Sequence, residues 1–186
     1  MPYDISRIAS LKRNFPAGFT VESHPAKALH QQDIDNSDVH VFSTAEVDPP
    51  RCRSLLLPAY ADPSVGSRAA AIRADNEQGS MYVIALVRPR PVPVTEPPAD
   101  CDAVAVLGSP GMTGTANRIA APKINGTITT GVKLSYDDGS DPDYIFTAAL
   151  NDQTAVVVIG SAEPELGPEQ MLSDLLVAAA AAVRGQ

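Results

Sequence analysis

The residues that could do chemistry fall into three clusters. His24, His30 and His40 are the only histidines, and Asp33, Asp35 and Asp38 lie among them. A metal site is the sharp reading, but paired ligand spacings such as HExxH are missing. The plain reading is a solvated helix and loop, with weak helix potential after Pro25, so no metal is expected here. Asp137, Asp138, Asp141 and Asp143 form an acidic loop of the kind that can offer several oxygens to calcium. It lacks the EF-hand spacing and closing Glu, so a solvated hairpin loop is expected instead. Gly108-Ser109-Pro110-Gly111 has the flavour of a phosphate loop without its Gly-Lys-Thr end. No GxSxG, Walker A, GxGxxG or CxxC pattern occurs, so no catalytic residue and no cofactor are assigned.

The elements around these clusters are easier to read. Residues 127–162 hold three apolar runs separated by loops rich in Asp, Gly, Asn and Pro, the pattern of an antiparallel meander. Ile128, Thr130, Val132, Leu134 and Tyr136 share one parity, which predicts a strand with one buried face. Tyr144, Phe146, Ala148 and Leu150 predict a second apolar face. Ala155–Ile159 is apolar at every position and is expected in the sheet centre, covered on both sides. Pro168 at a helix start, Leu172, Leu175, Leu176, Ala179 and Val183 at helical spacing, and five consecutive alanines at 178–182 predict a covering helix. Asp174 interrupts that helix, and it falls short of the ~20 apolar residues of a membrane span.

Upstream, Ile5, Ile8 and Leu11 give a short helical rhythm, and Phe19–Val21 a first strand. Asp48-Pro49-Pro50 is expected to open a helix with Asp48 as its cap, stopped by Pro58. Residues 67–75 and 80–88 read as a hairpin whose second strand is central. Prolines 89, 91, 93, 97 and 98 favour an extended crossover strap over a peptide-recognition motif. Val104–Leu107 and Thr115–Ala121 are further strand candidates. Asn125-Gly126-Thr127 matches a glycosylation acceptor, but a turn explains it.

The 186 residues suffice for one substantial core, and no repeat or composition break divides 1–186. The expected fold is α+β: a twisted antiparallel sheet of about five to seven strands, one long C-terminal helix and one or more short helices. A net charge of -8 without a basic patch argues against a nucleic-acid partner. Met1-Pro2 runs directly into polar residues, which fits either a cytosolic start or a chain lacking its export signal.

DISRIASLKRNFPAGFTV at 4–21, DPPRCRSLLLP at 48–58, PPADCDAVAV at 97–106, GSDPDYIFTAAL at 139–150 and MLSDLLVAAAAAVRGQ at 171–186 carry a resemblance across nearly the whole chain. The chain resembles a mycobacterial cell-envelope family of unknown function, often predicted lipoproteins, related to the extracellular sensor domain of PknH-type serine/threonine kinases. The resemblance implies a twisted antiparallel sheet, a cleft for a small ligand, export to the envelope or beyond, and a lipid anchor on the full-length precursor. The sensor domain has two disulfides and this chain has cysteines for one, so no ligand residues are carried over. With an extracytoplasmic location implied, Cys52 and Cys101 are expected to pair. Cys52 lies near a helix start between Arg51 and Arg53, and Cys101 follows a strap that a tether would hold.

Three functions follow as expectations. The first is a non-catalytic, sensor-like envelope domain binding a small ligand. The second is a structural or adhesive surface protein working through contacts with an envelope protein. The third is a hydrolase whose residues meet only in three dimensions.

Overall fold

The computed structural model describes residues 3–108 and 112–186. Among them the strands are β1 (Thr20–Ala28), β2 (Glu46–Asp48), β3 (Arg68–Asn76), β4 (Gly79–Val87), β5 (Ala103–Leu107), β6 (Gly114–Ile119), β7 (Ile128–Tyr136), β8 (Asp143–Ala149) and β9 (Thr154–Ala162). The helices are α1 (Gln31–Asp35), α2 (Asp38–Thr44), α3 (Arg53–Leu56) and α4 (Pro168–Arg184), with a 3-10 segment at Ile5–Asn14. All nine strands join one antiparallel sheet in the order β1-β3-β4-β9-β8-β7-β6-β5-β2.

That order explains the proline strap. The β3–β4 hairpin builds one half of the sheet, and residues 88–102 then cross to the far half. The meander from β5 returns until β9 pairs with β4. Crossing five strand spacings takes roughly 24 Å, and an extended proline-rich link of this length reaches roughly 45 Å. Val92 and Val94 pack inward while Pro91 and Pro93 face water.

The centre behaves as an all-apolar run must. Val156, Val157 and Val158 are fully buried, and Ile159 nearly so. One face of the sheet carries α4 and the 3-10 segment, through Leu172, Leu175, Leu176, Ala179 and Val183 against Val83, Phe146, Val156 and Val158. Gly160 lets α4 come this close: a Cβ there would sit 2.8 Å from Leu172 Cδ2. Gly167, at φ +60°, turns the chain into Pro168. The other face carries α2, α3 and the strap over Ile84, Leu86, Ile145 and Val157. On that face the Tyr60 hydroxyl lies 2.9 Å from Thr147 Oγ1 and 3.2 Å from Thr130 Oγ1, so these buried hydroxyls satisfy one another.

Cys52 and Cys101 form a disulfide with Cα atoms 5.4 Å apart. It lies beside the β2–β5 pairing, where Glu46–Asp48 adds only three residues to the sheet edge. The tether holds an edge strand too short to hold itself.

Several expectations need correction. The sheet has nine strands rather than five to seven. The extra ones include β2, too short for alternation to reveal, and the count expected from ordinary sheets was low. The helix expected after Pro25 is preceded by strand: β1 continues through His24 and Pro25 to Ala28. It is an edge strand, exposed along most of its length, and the register shifts between His24 and Lys27, where a proline is tolerated. Its polarity comes from that exposure. The expected apolar face of β8 is present, and Ile145, Thr147 and Ala149 on its other face are buried as well. Asp48 ends β2 instead of capping a helix, and Pro49 precedes the short turn at Pro50–Cys52.

Candidate functional site

The sheet face beneath α1 and α2 has a row of side chains that parity alone puts together. Arg73 is opposite Tyr82, Tyr82 opposite Ile159, and Ser80 opposite Ser161. Side chains opposite one another share a face. Asp143 of β8 and Tyr136 of β7 extend the row across the sheet. Further along β3 and β4, Ala69, Ala71, Ile84 and Leu86 supply an apolar floor with little side-chain volume on the β3 side.

The roof is α1 and α2. Ile34, Val39 and Phe42 point down and are buried. Polar contacts hold the roof at its edges. Lys27 Nζ donates to Asp33 Oδ1 at 2.6 Å, and the His30 backbone N–H to Asp33 Oδ2 at 2.9 Å. Arg73 reaches Asp38 at 3.5 Å. The Arg53 guanidinium donates to the Ser43 and Ala45 carbonyls at the C-terminal end of α2, where orphan acceptors need partners.

Between roof and sheet lie two neighbouring cavities, the two lobes of the site, with Tyr82 in the wall of each. The apolar lobe, of ≈ 190 Å³, is floored by Ala69, Ala71, Ile84 and Leu86, roofed by Ile34 and Val39, and rimmed by His24 and Lys27. The polar lobe, of ≈ 290 Å³, is lined by Asp38, Phe42, Arg73, Tyr136, Asp143 and Ile159 among others.

In the polar lobe the Tyr136 hydroxyl donates to Asp143 Oδ2. Burial pushes the Asp143 carboxyl above its ordinary range; the Tyr136 hydrogen bond opposes this, and the Asp38 charge adds to it. Burial, and then hydrogen bonding to Asp143, also raises the Tyr136 hydroxyl. Arg73 Nε lies 2.9 Å from Asp75 Oδ2, and Ser80 Oγ donates to Asp75 Oδ1 at 2.6 Å. The arrangement can bind and orient a small molecule: apolar walls, with a few polar groups converging on one end.

The clusters singled out from sequence are dispersed. His24 is exposed on β1, with Nε2 4.0 Å from Glu22. His30 precedes α1 and His40 sits within α2. Among the described residues no group of three His, Cys, Asp or Glu side chains is placed to hold a metal ion. The acidic loop divides: Asp137, Asp138 and Asp141 face water, and Asp138 Oδ1 accepts from the Ser140 N–H and hydroxyl. Asp143 turns inward. Ser109–Gly111 lie outside the described residues. The Asn125-Gly126 turn is exposed, with Gly126 at φ +72°. Sequence reasoning missed Arg73 and Tyr82, and it grouped Asp38 with the histidines rather than with these side chains. The available signal was a charge in the middle of AAAIRAD and a tyrosine among the aliphatics of MYVIALV, both at inward parity.

A family model described as a domain of unknown function, DUF5642, matches residues 4–184. The chain belongs to the DUF5642 family. An uncharacterized Mycobacterium smegmatis protein, described as the Rv0999 ortholog, has a solved structure to which this DUF5642 chain is similar, with a TM-score of 0.71. The two are 22% identical, and the likeness covers 98% of this chain and 97% of the other. At that identity the shared property is the fold. Comparison with curated proteins finds no match.

Proposed function

We propose that this chain is a non-catalytic, sensor-like domain of the cell envelope that binds a small ligand in the cleft beneath α1 and α2. The observation that carries the reading is the pair of lobes meeting at Tyr82, one apolar and one with convergent polar groups. The roof supports it too. α1 and α2 are short, each docked by only one or two buried apolar side chains and by polar contacts at its edges, so they can yield when a ligand enters. The Cys52–Cys101 disulfide supports a location outside the cytoplasm, where such bonds persist. No helix among the described residues is long and apolar enough to cross a membrane. The large exposed apolar side chains Val41, Val65, Leu107 and Val177 sit on separate elements, which favours the cleft over an adhesive patch as the working surface.

Native mass spectrometry of protein isolated from the cells that make it tests the reading. A retained small-molecule adduct, lost on mild denaturation, is the expected result. Bare protein under conditions that preserve the fold, together with no response to any small-molecule probe, would overturn it.

A further inference from the structure

We propose that the polar lobe takes a primary alkylammonium group, whose N–H donors meet Asp143 and whose alkyl portion lies against Phe42, Ile159 and Tyr82. This rests on the cleft reading and names the ligand class.

Charge matching comes first. The lobe's cation, Arg73, is already flanked by two carboxylates, Asp38 at 3.5 Å and Asp75 at 2.9 Å, and Ser80 fixes Asp75 in turn. Asp143 is different. Among the described residues its side chain accepts from one donor, the Tyr136 hydroxyl. A carboxylate has about four acceptor positions, and burial without partners is costly. Asp143 lines the lobe and is only half-buried, so a ligand can reach it.

The walls add to this. Tyr82, Tyr136 and Phe42 place aromatic surface around the same space, which attracts a cation. An anionic ligand would face Asp38 and Asp143 together. A quaternary ammonium has no N–H to give Asp143, whereas a primary ammonium has three donors.

The test is a heteronuclear NMR titration of the intact domain with n-butylammonium, 1-butanol and n-butyrate at equal ionic strength. The expected result is amide shifts at Tyr82 and Ser161, with n-butylammonium binding at least about tenfold tighter than 1-butanol and n-butyrate weakest. Asp143→Asn should bring n-butylammonium down to the affinity of 1-butanol and leave 1-butanol unchanged. Asp38→Asn, which removes the lobe's second carboxylate, should weaken n-butylammonium a few fold. Binding of 1-butanol or n-butyrate in the lobe as tightly as n-butylammonium would overturn the ammonium assignment and leave the cleft reading standing, and so would an unaffected Asp143→Asn. If none of the three moves a cleft resonance, both readings fail.

Discussion

Reducing the Cys52–Cys101 disulfide should cost the domain about 4 kcal/mol. The bond closes a loop with a sequence separation of 49. In the chain-entropy treatment a loop of this size removes roughly 14 cal/mol/K from the unfolded chain, or about 4 kcal/mol at 25 °C. The neighbouring ion pair cannot stand in for it. Arg51 and Asp100 approach to 2.6 Å, but their side chains are 59% and 65% exposed, and such pairs contribute about 0–1 kcal/mol. Reduction leaves both cysteine side chains in place, so the packing around them is nearly conserved and the tether is what is lost. Equilibrium urea unfolding with and without a phosphine reductant measures the difference. With a slope of about 3 kcal/mol/M, the midpoint should fall by roughly 1.3 M. A fall of less than about 0.3 M would refute the argument. It would mean that the strap and β2 stay together in the unfolded chain, or that other contacts hold them.

Leu175→Ala on the buried face of α4 should destabilise by about 2–5 kcal/mol, read from chemical denaturation; a negligible change would mean that α4 is not docked on the sheet. Gly160→Ala forces a methyl group against Leu172 and the Ser80 carbonyl, and should cost about 1–3 kcal/mol by the same assay. Asp143→Asn should raise stability at neutral pH. The folded carboxyl titrates above its unfolded range, so its favourable contribution is complete only below the unfolded pKa and is lost as pH rises through the folded one. The variant's advantage should therefore shrink as pH falls toward about 4, and urea midpoints across that range will show whether it does.

The legible parts of this fold were those governed by local periodicity. Ala155–Ile159 announced a central strand because every position is apolar, and Leu172 to Val183 announced the covering helix through their spacing. Edge strands carry no such signal. β1 is polar because one side of it meets water, so His24 and Pro25 read as loop or helix, and three residues of β2 cannot display alternation. The cleft was less legible still. Asp143 belongs by sequence to an acidic loop, yet it is the first residue of β8 and faces inward with Ile145, while Asp138 and Asp141 stay in the exposed loop before the strand. Asp38, Arg73 and Tyr82, which line the same lobe, come from α2, β3 and β4, and only the return of β9 to β4 brings them beside β8. Long-range pairing decided the site, and pairing order is not written in any short stretch of the chain.

The proposal that the cleft holds a ligand is tested most directly by filling it. Ala71 lines the apolar lobe and is 8% exposed, so Ala71→Leu should occupy that lobe with little effect on the rest of the fold. Native mass spectrometry of wild-type and Ala71→Leu proteins, isolated in parallel from the same cells, provides the readout. The account predicts an adduct on the wild type that is absent or sharply reduced on the variant, with the melting temperature of the ligand-free variant unchanged or higher. Equal adduct on both proteins, or a bare wild type that also responds to no small-molecule probe, would contradict it.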